Sequence, residues 1–168
     1  MTPNAQQRRT WLSLGLGTAG LLALTGCAGL RNITGQSEAF WSGRLSLQLD
    51  STPPKNWNTS FELQGSAQAG QMTLLSPIGT TLARLSWNLE TATLVQGNTQ
   101  IESRSLERLS TQMAGTPLPI AALFQWLAGQ EAHAPGWEVD LTGHAQGQLT
   151  AQRHSPLPEA RLRILLDR

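Results

Sequence analysis

Charge is scarce in this sequence: 14% of its 168 residues are Asp, Glu, Lys or Arg, against roughly 25% in an average soluble chain. Lys55 is the only lysine and there is no basic run, so the clustered cations that bind phosphate backbones are missing and nucleic acid is not an expected partner. Tyrosine is absent, and a single cysteine, Cys27, rules out any internal disulfide. The one long uncharged apolar run, Trp11 to Thr25, falls short of the roughly 20 residues that span a bilayer. Catalytic and cofactor signatures are missing too: there is no HExxH, paired CxxC, GxSxG, P-loop or GxGxxG before a helix. His133, His144 and His154 fall in loops or at strand edges with spacings that fit no compact ligand set. We therefore expect no catalysis, metal or cofactor.

Arg8 and Arg9, the apolar run and then Leu24-Thr25-Gly26-Cys27 resemble a bacterial lipoprotein signal. The resemblance implies removal of residues 1–26 and diacylglycerol plus an acyl chain on Cys27, more than stable anchoring needs. Ala28 in place of Asp implies outer-membrane rather than inner-membrane residence. Gln7-Arg8-Arg9-Thr10-Trp11-Leu12 also resembles a loose twin-arginine signal. Without Arg8 and Arg9, ten basic residues face eleven acidic ones, a net charge of −1. Residues 27–40 read as the acylated cysteine and a tether, whose fourteen steps to Trp41 reach at most about 50 Å. Residues 41–168 form one domain's worth of chain.

Period two sets in at Trp41. Gly43, Leu45, Leu47 and Leu49 alternate with Arg44, Ser46, Gln48 and Asp50, the pattern of a half-buried antiparallel strand. Thr59, Phe61 and Leu63 give a second strand, Met72 to Leu75 a third and Thr81 to Trp87 a fourth. Shorter strands follow near 91–95 and 99–103. Leu106, Leu109 and Met113 then take helical spacing, with Ser103 or Ser105 as the cap and Gly115 as a left-handed stop. Pro117-Leu118-Pro119 opens a second helix carrying Ile120, Leu123, Phe124 and Leu127, ended by Gly129. Each helix is too short to stand alone and must pack on the sheet. Segments 136–142, 146–153 and 159–166 read as three more strands. The expectation is a mainly β fold with short helices: about nine strands twisted into a half-open antiparallel β-barrel, covered by a helical lid.

Pro77-Ile78-Gly79 interrupts the third and fourth strands. Pro presets φ and Gly tolerates positive φ, so a surface turn is predicted there. Ile78, β-branched and apolar at its tip, is either packed underneath or exposed for a reason. Trp87 and Trp126 could each be core, cavity wall or mouth.

Gly43-Arg44-Leu45-Ser46-Leu47, Ser76-Pro77-Ile78-Gly79-Thr80 and Gly115-Thr116-Pro117-Leu118-Pro119 with Leu123, Trp126, Leu127 and Gly129 lie in that order behind the lipobox. Together they resemble the LolB family of outer-membrane lipoprotein receptors, over roughly Trp41 to Gly129; the C-terminal part is shorter than is usual there by about one hairpin. The resemblance implies an apolar cavity that takes acylated lipoprotein cargo from the periplasmic carrier LolA and delivers it to the inner leaflet of the outer membrane, by a monomer making no covalent bond. It implies cavity-lining roles for Leu45, Leu47, Phe61, Leu63, Met72, Leu74, Leu85, Trp87, Leu123, Trp126 and Leu127. It also implies that the Pro77-Ile78-Gly79 loop enters the membrane, Ile78 being its apolar probe. Two other classes fit the same pattern: a lipid or lipopolysaccharide carrier, and a structural or assembly lipoprotein with a filled core.

Overall fold

The computed structural model describes residues 39–167; the signal segment, Cys27 and most of the tether lie outside them. Nine strands form one antiparallel sheet: β1 (Ala39–Asp50), β2 (Lys55–Gly65), β3 (Gly70–Leu75), β4 (Thr81–Trp87), β5 (Ala92–Gln96), β6 (Thr99–Ser103), β7 (Trp137–Asp140), β8 (Gln148–Arg153) and β9 (Glu159–Leu166). Their order is β6-β5-β4-β3-β2-β1-β9-β8-β7. Two meanders thus meet at a single seam, where Leu45 faces Ile164 and Leu47 faces Leu162. β6 and β7 remain as sheet edges, so the sheet is open, as a half-barrel requires.

The seam depends on Gly43. A Cβ at this position would stand 2.1 Å from the Leu165 carbonyl oxygen, so the close approach of β9 to β1, rather than thinner packing alone, demands glycine here. Alternation then decides what is buried: Leu45, Leu47 and Leu49 are inside while Arg44, Gln48 and Asp50 stay at or near the surface.

The apolar face is covered by α1 (Leu106–Ala114) and α2 (Ile120–Leu127). Ser105 is the N-cap of α1, its Oγ accepting from the Arg108 N–H at 3.1 Å, and Gly115 ends the helix in the left-handed region. Both boundaries follow from capping chemistry. Leu109 and Met113 of α1 face the strands. The link to α2 is fixed by Ser110, whose buried hydroxyl donates to the Glu107 carbonyl at 2.8 Å and accepts from the Leu118 N–H at 3.3 Å.

Phe124 on α2 meets the rings of Trp41 and Trp87 edge-on, at 5.5 and 6.2 Å between centroids, a favoured aromatic geometry. The end of α2 is closed by a residue from the far meander. Gly129 follows the helix with φ of 75°, and the His144 imidazole lies against it, its Nε2 donating to the Leu127 carbonyl at 3.0 Å. His144 sits on a single 3-10 turn, His144–Gln146, and its ring has a structural partner rather than only water.

Candidate functional site

β3 and β4 are joined by a hairpin loop in which the Gly79 N–H donates to the Ser76 carbonyl at 2.9 Å and the Ser76 N–H to the Thr80 carbonyl at 2.8 Å. The Ser76 hydroxyl accepts from the Thr80 N–H at 3.1 Å. Gly79 has φ of 82°, and a Cβ there would meet nothing within 4 Å. Backbone conformation alone therefore selects glycine. Ile78 rides on the tip with 89% of its surface exposed. Of the two readings its turn chemistry left open, the exposed one is found.

The register shifts by one between Leu74 and Leu75: Leu74 pairs with Ala83 and Leu75 with Thr81. Leu82 is left without a cross-strand partner, as at a β-bulge. Strict alternation from Ala83 and Leu85 would put Leu82 with Arg84 on the outer face. Instead it joins the wall of an apolar cavity of about 260 Å³ between the sheet and α1, together with Leu45, Leu47, Leu74, Met113 and Leu118. Trp57 and Leu82, 43% and 45% exposed, belong to this wall and carry it to the protein surface. Leu82 is four residues from Ile78, so the exposed tip and the cavity stand on one hairpin. Thr59 supplies a polar point in the same wall; it is nearly buried, and its Oγ1 has no hydrogen-bond partner among the described residues.

The eleven side chains expected to line a cavity divide into two groups. Leu45, Leu47 and Leu74 line the hollow. Phe61, Leu63, Met72, Leu85, Trp87, Leu123, Trp126 and Leu127 belong to the packed core between sheet and helices. Each of these two tryptophans is held by its indole N–H: Trp87 donates to the Ser66 carbonyl at 3.1 Å and Trp126 to the Ala132 carbonyl at 3.0 Å. Wall residues absent from the sequence-based set include Trp57, Leu82, Ala83, Met113, Ala114 and Leu118. Trp57 shares the parity of Thr59, Phe61 and Leu63, a usable signal once β2 is known to begin at Lys55. Nothing in the sequence announces the register shift beside Leu82 or its place at the cavity wall.

Polar chemistry around the cavity is sparse. Among the described residues no group of three or more His, Cys, Asp and Glu side chains is placed to hold a metal ion. The one imidazole–carboxylate contact found among them, His154 Nδ1 to Glu159 Oε1 at 4.0 Å, is half exposed. What the site offers is an apolar hollow and an apolar projection.

The family model described as outer membrane lipoprotein LolB matches residues 40–159. Three relatives carry the name outer-membrane lipoprotein LolB. The one from Chromobacterium violaceum is 29% identical over 107 residues, covering 64% of this chain and 58% of the relative. That from Bordetella petrii is 29% identical over 147 residues, covering 83% and 71%. That from Neisseria meningitidis serogroup A is 29% identical over 151 residues, covering 77% of each. The match to the Chromobacterium relative thus spans less than two thirds of that protein's length.

Proposed function

Because this chain belongs to the LolB family of outer membrane lipoproteins, we propose that it is an outer-membrane receptor for acylated lipoproteins. It accepts them from the periplasmic carrier LolA and inserts them into the inner leaflet. The observation that carries this reading is the pairing, on one hairpin, of an apolar cavity wall with a fully projecting Ile78.

The task needs no covalent chemistry. Each acyl methylene left in water costs about 0.8 kcal/mol, so a lipidated protein crosses an aqueous space only inside apolar walls. Transfer in one direction requires the receiving pocket to bind the chain more favourably than the donor does. Leu45, Leu47, Leu74 and Met113 supply such walls, and the Thr59 hydroxyl is free to donate to an acyl carbonyl. A volume of about 260 Å³ lies below the roughly 300–1,000 Å³ of ordinary ligand pockets. Cargo entry therefore requires the hollow to widen. Ile78 then enters the bilayer beside the opening and gives the chains a continuous apolar exit. The acylated Cys27 holds the receptor within about 50 Å of that surface.

The test is transfer from carrier to receptor. Full-length protein is incubated with carrier loaded with a lipoprotein, with the same lipoprotein stripped of its acyl chains, or with free phospholipid. Acylated cargo is expected to move to the receptor and the stripped form to stay behind. Equal uptake of free phospholipid would favour a lipid carrier. No uptake of any of them would leave a structural lipoprotein.

A further inference from the structure

A second hollow lies on the other side of the α1–α2 link. It is a groove of about 450 Å³ between that link and the stretch entering β7, walled by Pro117, Ile120, Ala121, Pro135, Trp137 and Pro156. It shares only Leu118 with the acyl cavity. Glu107, His133 and Arg153 are the titratable groups in its lining.

Arg153 is the anomaly. It pairs with Trp137 of β7 and Ala160 of β9, and by strand parity it shares the inner face with Leu149 and Ala151, both buried. It is 2% exposed. Its Nη2 donates to the Pro158 carbonyl at 2.8 Å, and its guanidinium carbon lies 5.7 Å from the Trp137 ring centroid, within cation–π range. Its Nε and Nη1 have no acceptor among the described residues. Burial pushes its pKa below the ordinary arginine value, yet a guanidinium keeps its proton at neutral pH. A buried cation with a carbonyl and an aromatic face but no counter-ion among the described residues favours an anion beside it. The walls around it are apolar, so that anion must be attached to an apolar body. Glu107, the one carboxylate in the lining, is exposed and makes no ion pair with Arg153.

We infer that this groove binds a single-chain amphiphile with one oxyanion headgroup, carboxylate or phosphate, seated on Arg153 with its alkyl chain along the proline-walled face. The site is additional to the cargo cavity and does not depend on the transfer function.

The experiment is calorimetric titration of the full-length protein with dodecanoate, dodecyl phosphate and dodecanol, each below its micellar concentration. Both anions are expected to bind, and their relative affinity tells carboxylate from phosphate as the preferred headgroup. Arg153→Leu should weaken both by about 10- to 100-fold, the usual worth of charged hydrogen bonds, and leave dodecanol unchanged. Replacing an unpaired buried charge by an apolar side chain should hold or raise the melting temperature. Ala121→Trp fills the groove from an exposed helix position and should also weaken the anions, which decides the matter if Arg153→Leu fails to fold. Absence of anion binding, or anion affinity unchanged in Ala121→Trp and in folded Arg153→Leu, would overturn the site.

Discussion

On the proposed function, replacing Ile78 should separate delivery from folding. With 89% of its surface exposed, almost none of the side chain contributes to the fold, so nearly all of it is available for transfer into lipid. Full burial of an isoleucine side chain is worth about 1.5–3 kcal/mol, which corresponds to roughly 10- to 150-fold in a partition equilibrium. Ile78→Ala removes three carbons and should lose about 2 kcal/mol of that, or about thirty-fold. Ile78→Glu should lose more, because a carboxylate must also be desolvated at the membrane. Neither change touches a packed neighbour, so both variants should melt within about 0.5 kcal/mol of the parent. The assay follows a lipidated cargo from loaded receptor into liposomes, with cosedimentation of the empty receptor as the binding measure. Uptake from the carrier should be near normal in both variants while release slows in the order Ile, Ala, Glu. Release at the parent rate from Ile78→Glu would remove the tip from the mechanism and leave its exposure unexplained.

Other consequences follow from the packing. Gly43→Ala drives a Cβ onto the Leu165 carbonyl and should cost more than the 1–3 kcal/mol of ordinary overpacking, seen as a large drop in the denaturant midpoint. Gly129→Ala places a Cβ 2.7 Å from the His144 ring at a positive φ, and His144→Ala loses the bond to Leu127, worth about 1 kcal/mol. The double variant should be less destabilised than the sum, because the clash disappears with the ring; strict additivity in urea melts would refute the contact. Asp140 accepts from the Thr142 hydroxyl and N–H, and these bonds hold its carboxyl below the usual range. A depressed native pKa stabilises above the unfolded value of about 3.9 and is lost as pH falls through the native one. Asp140→Ala should therefore flatten the acid limb of the stability curve below about pH 4, with no change in its neutral plateau slope.

Period-two patterning made the strands legible, because one face of each is buried. Capping chemistry made α1 legible down to Gly115 at its end, and narrowed its start to Ser103 or Ser105, of which Ser105 is the cap. The turn at Pro77 and Gly79 was equally plain, while the exposure of Ile78 could not follow from turn chemistry, since local packing beneath it was the alternative. Parity also states which side chains face inward but not which inward positions are filled. Leu47 at the hollow and Leu63 in the core have the same pattern, and only the placement of α1 and α2 over the sheet separates them. Leu82 escaped because a register shift is a property of two strands together. Arg153 was readable by parity as an inward residue after Leu149 and Ala151, and went unread because a charge is ordinarily assigned to solvent.

The position of β1 has a mechanical consequence. Ala39 opens β1, an interior strand hydrogen-bonded to β2 along one flank and to β9 along the other. Antiparallel ladder bonds lie perpendicular to the strands, so tension entering at Ala39 and directed along β1 strains both ladders in shear, many bonds at once. An edge strand pulled in the same way would be held by a single ladder instead of two. A domain held at this end resists extraction through its central seam, and the sheet edges, β6 and β7, carry little of the pull.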